Sequence, residues 1–248
     1  MPGSVSSESA SAPRCPDGMR IYAIGDIHGR DDLLIRLHEL IRKDARARPE
    51  ASLVAVYLGD YVDRGTGSFE VIDLLLNEPL AGFANVHLKG NHEDMMLRFL
   101  DGPASLGWLL NGGVATLASY GVAAGGPMIY LADLDALRRE LLAAMPADHL
   151  RFLLGLEMMH IAGDYAFVHA GVRPRVALAA QQPADLMWIR DKFLRSGEDF
   201  GKVVVHGHTI ADEPEMTANR IGIDTGAFAS DRLTCLVLEG SERRFLRT

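Results

Sequence analysis

Short apolar runs rich in β-branched residues alternate along this chain with longer stretches of amphipathic pattern. "RIYAIGD" reads as a strand, and an amphipathic helix is predicted from about Asp31 to Ala47. "SLVAVYLGD" predicts a second strand and "FEVIDLLLN" a second helix, which is a βαβ rhythm. "NVHLKGNHE" then brings a short strand into "DMMLRFL", where the helical pattern resumes. Residues from about 103 to 156 are helix-rich around a glycine-broken segment, "GWLLNGGVATLASYGVAAGG". The last third returns to strands in "DYAFVHAG", "KVVVHGHT", "RIGIDTGA" and "RLTCLVLEG". The class is α/β, in layers. The strands at 20–25, 54–59, 86–89, 165–168 and 202–205 each run straight into a cluster of Gly, Asp, Asn or His. In layered α/β folds, ligands gather beyond the carboxyl ends of strands, so these clusters are expected to converge.

Composition narrows the possible functions. With 248 residues, 48% of them hydrophobic, the chain can bury a sizeable core, and we read it as one domain. A net charge of −8 leaves no diffuse basic surface, which argues against nucleic acid or an acidic membrane as the main partner, so any anion binding is local. Cys15 and Cys235 are far apart and in no spaced motif, giving neither a disulfide framework nor a structural zinc site; a reducing cytoplasm fits. Residues 1–18, rich in Ser, Ala and Pro with no apolar segment after a basic start, read as a disordered lead-in to a folded domain at 19–248. No run approaches the roughly 20 apolar residues of a spanning helix.

The clusters are "GDIHG" (25–29), "GDYVDRG" (59–65), "GNHE" (90–93), "HAG" (169–171) and "HGHT" (206–209). They supply Asp, His and Asn on strand-end loops, with glycines where the backbone must turn sharply or approach a bound group. Asp26 and His28 stand two apart, which in an extended segment would put both on one face. Carboxylate, amide oxygen and imidazole without thiolate suit divalent Mn, Fe or Zn. Six candidates exceed one ion's needs, so two ions sharing a bridging carboxylate are expected, an arrangement that recurs in phosphate ester hydrolysis. Alone, each residue has an ordinary explanation: Asp26 and Asp60 as helix caps, Asn91 in a turn, His169 as a hydrogen-bonded core histidine. The ordered set outweighs those readings.

From Arg20 to Leu238 these five motifs, in this order, resemble the metallophosphoesterase superfamily, and within it the phosphoprotein phosphatase family with its small bacterial and phage enzymes. The resemblance implies a calcineurin-like fold, a central β-sandwich of mixed sheets flanked by helices. It implies that Asp26 and His28 bind one ion, that Asp60 bridges, and that Asn91, His169 and His208 hold the second. His208 is preferred to His206 because the family's ligand follows the glycine. It further implies His92 as general acid with Asp63 as its partner, and phosphate held by Arg64 and by Arg190 of "WIR", with Asn91 and His92 beside it. "WLLNGG" (108–113) also resembles the phage-type members, without an implied role.

The expected chemistry is direct in-line hydrolysis of a phosphomonoester by metal-activated water, on phosphoserine and phosphothreonine of proteins or peptides, with two divalent ions, Mn²⁺ first and Fe or Zn as alternatives. Two such ions against the carboxylates of Asp26 and Asp60 leave a net positive centre for a phosphate dianion, so the overall charge is no obstacle. A symmetrical dinucleoside polyphosphate hydrolase shares the same motifs, and a phosphate-binding module without turnover is the rival of another class. His38, His87, His149 and His160 read as structural or exposed, His206 as structural rather than catalytic, and Arg173 as a structural or solvated cation. Asp224 is expected in the cleft floor, and Glu93 either supports its turn or lies on the surface.

Overall fold

The computed structural model describes residues 12–102, 106–123 and 133–248. Two five-stranded mixed sheets face each other. The first has the order β10 (Glu242–Arg247), β9 (Thr234–Glu239), β1 (Met19–Ile24), β2 (Ser52–Tyr57), β3 (Phe83–His87). Its β1, β2 and β3 are parallel, while β9 and β10 return antiparallel. The second has the order β4 (His160–Ala162), β5 (Tyr165–Phe167), β6 (Val203–His206), β8 (Arg220–Gly222), β7 (Glu215–Met216), with β5, β6 and β8 parallel. β4, β7 and β10 were not foreseen: the first two are only three and two residues long, and β10, "ERRFLR", hides its two apolar residues among arginines.

Alternation within each strand builds the layers. Ile21 and Ala23, Val54 and Val56, and Leu236 and Leu238 point into the sandwich, where they meet Tyr165, Phe167, Val203, Val205 and Ile221 of the second sheet. The intervening Tyr22, Ile24, Ala55, Tyr57 and Val237 are equally buried, under α1 (Asp31–Ala47), α2 (Ser68–Asn77) and α3 (Asn91–Asp101). A strand buried on both faces reads as a continuous apolar run, which is why β1 and β2 stand out in the sequence. After α3 come α4 (Leu106–Trp108), a wide π turn over Leu109–Gly113, α5 (Val114–Ser119), α6 (Leu134–Ala144) and α7 (Ala147–Leu154). On the far face of the second sheet, α8 (Pro183–Trp188) and α9 (Asp191–Leu194) cover Val204 with Leu186 and Phe193.

Residues 12–18 depart from the expected lead-in, because they are tied to the domain. Cys15 is buried, its N–H donates to Gly240 O (2.8 Å), and Arg14 O accepts from Asp164 N (2.9 Å). The remainder of that lead-in lies outside the described residues.

Two histidines, His38 buried on α1 and the half-buried His87 at the end of β3, make stability depend on pH. His38 Nε2 accepts from Tyr57 Oη (2.9 Å), and the His87 ring stacks on Tyr57 with centroids 4.8 Å apart. Burial pushes both down to about 4 from an ordinary value near 6.5. A depressed value means the unfolded chain takes up protons first, so this stability is complete above about 6.5 and drains away as pH falls towards 4. Each group withdraws up to roughly 3 kcal/mol across that window. Urea unfolding at pH 7 and pH 5 is expected to show a smaller loss for His38→Gln than for the parent chain.

Candidate active site

The parallel register sets Ile24 beside Tyr57 and Tyr57 beside His87, so the loops leaving β1, β2 and β3 emerge together. β5 and β6 end in the same place, joined by Gly207 N donating to His169 O (2.8 Å). All five sequence clusters meet there. Five of the seven non-glycine residues with positive φ among those described are His28, Asp60, Asp63, Arg64 and His208. That conformation is costly for most side chains, so its concentration here marks a locally strained, over-determined site. It also corrects the extended segment expected across Asp26 and His28: the chain turns at His28 (φ 48°).

Asp60 is at the centre. Its Oδ2 lies 3.5 Å from His28 Nε2 and its Oδ1 3.5 Å from His169 Nε2. Two groups have ligand atoms all within 4.8 Å of one another: His28, Asp60 and His92, and Asp60, His169 and His208. His28 Nδ1–H donates to Val62 O (2.9 Å) and His169 Nδ1–H to Leu58 O (2.9 Å), which turns each Nε2 lone pair inward. Burial pushes His28 down to about 3 and His208 down to about 2, and lowers His169 as well, so the imidazoles are neutral and fit to ligate.

Several features call for cations. Asp26 Oδ2 accepts from His208 N (3.0 Å), but Asp26 Oδ1 and His208 Nε2 are buried without a partner. His169 Nε2 faces Asn91 Oδ1 at 2.9 Å, two acceptors that a shared ion would reconcile. Asp26 and Asp224 are buried together with Asp60, and burial followed by this mutual repulsion raises Asp26. Buried like charges are costly unless a proton or a counter-cation neutralises them. The glycines make room: a Cβ on Gly90 would fall 2.1 Å from Asp60 Oδ1, and one on Gly207 2.0 Å from Asp26 Oδ1. The donor set of carboxylate, imidazole and amide oxygen thus fits divalent ions.

Beside this cluster, His92 Nδ1 donates to Asp63 Oδ2 (2.7 Å) and its Nε2 lies 3.2 Å from Arg64 Nη2. Burial alone would lower His92, but Asp60 and Asp63 outweigh it and raise its proton affinity. The Asp63 carboxylate also accepts from Trp108 Nε1 (3.0 and 2.9 Å) and Thr116 Oγ1 (2.6 Å). Arg64 is exposed and stands over the Phe228 ring, 4.6 Å from its centroid. Arg190, also exposed, lies 3.4 Å from Thr209 Oγ1 at the mouth beside His208.

Glu93 is fully buried, which removes the surface alternative. Its carboxylate accepts from the N–H groups of Gly90, Asp60, Tyr61 and Val62 at 2.7–3.2 Å, binding the Asp60 loop to the start of α3. Burial, and then Asp60, push it up to about 7. Glu93→Gln places an amide NH₂ against these donors and is expected to destabilise the fold by roughly 2–4 kcal/mol, read from urea unfolding. Asp224 is buried near Asp26, whose proton affinity it raises, and accepts from Gly226 N (2.9 Å). Arg173 forks onto Asp185 (2.7 Å twice), and His206 is buried with its ring edge against Phe193. Sequence reasoning missed Trp108 and Thr116 as partners of Asp63, although "WLLNGG" signalled that the segment mattered; nothing in the sequence pointed to Phe228.

Residues 19–225 match the calcineurin-like phosphoesterase family, and the chain belongs to it: this is a metallophosphoesterase, a hydrolase of a family that uses divalent metals. Serine/threonine-protein phosphatase 2 of Escherichia coli (strain K12) is 31% identical over 228 residues, covering 86% of this chain and 90% of that protein. The protein of the same name from Salmonella typhimurium (strain LT2) is 29% identical over 227 residues, covering 86% of this chain and 90% of its own. Among solved structures, one assigned provisionally as a diadenosine tetraphosphatase covers 96% of this chain and 98% of itself, with a TM-score of 0.60 at 21% identity. A cold-active protein tyrosine phosphatase covers 92% and 78%, with a TM-score of 0.56 at 17% identity. These last two likenesses are of fold.

Proposed function

We propose that this chain is a cytoplasmic serine/threonine protein phosphatase, hydrolysing phosphoserine and phosphothreonine esters directly at a dinuclear metal centre. The observation that carries the reading is Asp60, whose two oxygens each face a different inward-turned histidine at 3.5 Å. Asp26 and His28 would hold one ion, and Asn91, His169 and His208 the other, with Asp60 shared between them. Two divalent ions, Mn²⁺ before Fe or Zn, supply the Lewis acidity that makes water nucleophilic near neutral pH.

The remaining work falls to the protein. Arg64 and Arg190 present forked donors to the phosphate oxygens and to the charge that grows on them in the transition state. Water attacks phosphorus in line, the P–O bond to the side chain breaks, and His92 gives its proton to the departing alkoxide from Nε2. The raised proton affinity of His92 favours the charged donor, and Asp63 on Nδ1 keeps the imidazole aimed. Arg64 Nη2 is 3.2 Å from His92 Nε2, so phosphate grip and acid lie side by side.

The protein-phosphatase relatives, similar over nearly their whole length, favour a phosphoprotein substrate. The fold likeness to the structure assigned provisionally as a diadenosine tetraphosphatase keeps a dinucleoside polyphosphate as the competing substrate. Initial rates with Mn²⁺ on a phosphothreonine peptide and on diadenosine tetraphosphate separate the two. Faster hydrolysis of the dinucleotide would overturn the protein-phosphatase reading, and binding of phosphate without turnover on either would leave a binding module.

A further inference from the structure

The Asp63 carboxylate is completely buried and sits on a loop where both Asp63 (φ 73°) and Arg64 (φ 70°) take left-handed conformations. His92 uses one of its oxygens, Oδ2. A carboxylate held at a single oxygen can still rotate about its own axis and carry the imidazole with it. Here that rotation is blocked by groups 45 and 53 residues further along the chain. Trp108 Nε1–H divides its hydrogen bond between Oδ1 (3.0 Å) and Oδ2 (2.9 Å), and Thr116 Oγ1–H takes Oδ1 (2.6 Å).

Both partners are themselves immobilised. Asp63 N–H donates to Thr116 Oγ1 (2.9 Å) and to Ser68 Oγ (3.0 Å), while Ser68 Oγ lies 3.0 Å from Thr116 Oγ1. Because the single Thr116 proton goes to the carboxylate, the Ser68 hydroxyl donates to Thr116, and its direction is determined. The Trp108 indole is buried against Phe99, centroids 4.9 Å apart, and Gly113 lies on its face: a Cβ there would come within 2.6 Å of the ring. From the same segment Gly112, at φ 112°, brings its carbonyl to Arg64 N (3.3 Å).

We propose that Trp108 and Thr116 are positioning residues for proton donation, fixing the plane of the Asp63 carboxylate so that it aims His92 at the leaving oxygen; this rests on His92 being the leaving-group acid. The "WLLNGG" turn and the start of α5 are then an orienting device for the acid and its neighbour Arg64.

Thr116→Val keeps the shape and leaves Ser68 to accept from Asp63 N, while Trp108→Phe keeps a buried ring. Supporting groups of this kind are typically worth about 10–100-fold in activity. On a phosphothreonine peptide each variant is expected to lose kcat by about that factor with KM little changed, while an aryl phosphate, whose leaving group needs no proton, loses less than about threefold. Thr116→Ser is expected to restore the rate. In a His92→Asn background neither substitution is expected to cost further activity, because the group it aims is gone. Equal losses on alkyl and aryl substrates, or the same loss with and without His92, would mean a purely structural role and overturn the proposal. If Trp108→Phe does not fold, Thr116→Val decides. If His92→Asn alone slows both substrates equally, it is the acid assignment that has failed, and the positioning role falls with it.

Discussion

Asp60→Asn is expected to lose both metal ions and about a thousand-fold or more in turnover while the chain remains folded. The carboxylate offers one oxygen to the side of His28 and the other to the side of His169, each at 3.5 Å. An amide halves that: one end becomes an NH₂ donor, which repels a cation and instead ties up the lone pair of a neutral histidine by donating to it. The charge changes too, since Asp60 is one of the few anions facing the site. Burial would raise its proton affinity, but as pH falls His169, His92 and His28 take up protons before it does and hold it below the usual carboxylate range, so the group removed is an anion at neutral pH. Divalent ions in such sites are worth several kcal/mol of transition-state charge stabilisation, and about 4 kcal/mol is a factor of roughly a thousand. Metal content after dialysis against trace Mn²⁺, measured beside turnover and circular dichroism, checks the result. A folded variant that retains two equivalents of metal and much of its activity would remove Asp60 from its central place.

His92→Asn is expected to spare the metals and to remove most turnover on alkyl phosphates. General acid catalysis contributes typically about 10²–10⁴-fold, and a serine or threonine alkoxide, being a poor leaving group, needs the whole of it. An aryl phosphate leaves without help and is expected to lose less than about tenfold. Two features distinguish His92 from the histidines around it. Its Nδ1 is bound to a buried carboxylate at 2.7 Å, and its proton affinity is raised where those of His28, His169 and His208 are lowered. One histidine prepared to be charged among three prepared to be neutral is the pattern expected of an acid beside ligands. Steady-state kinetics on a phosphothreonine peptide and on p-nitrophenyl phosphate, with metal analysis of the variant, tests this. Loss of metal together with equal loss on both substrates would make His92 a ligand.

Much of the arrangement was legible because it is local. β1 and β2 declare themselves as apolar runs, and each motif begins where such a run stops, so strand-end loops could be placed without knowing the fold. Parallel pairing of β1, β2 and β3 then brings three motifs side by side. Glu93 shows where that legibility ends. Its neighbours in sequence are compatible with a surface turn, but it is buried, because four N–H groups from two loops need one acceptor. Residues 12–18 mislead in the same way: their composition is that of a tail, yet Cys15 is pinned by Gly240 at the β9–β10 turn.

The sequence by itself determined the periodicities, and so the alternation of strand and helix, and the types of donor carried at each strand end. Those depend on neighbours a few residues apart. Only the tertiary structure decided which oxygen of Asp60 meets which histidine, that Asp26 and His208 keep unpartnered atoms in the interior, and that Trp108 and Thr116 grip Asp63 from 45 and 53 residues further along the chain. Such contacts join residues far apart in the chain through burial and hydrogen-bond direction, and both are properties of how the layers pack rather than of any one segment.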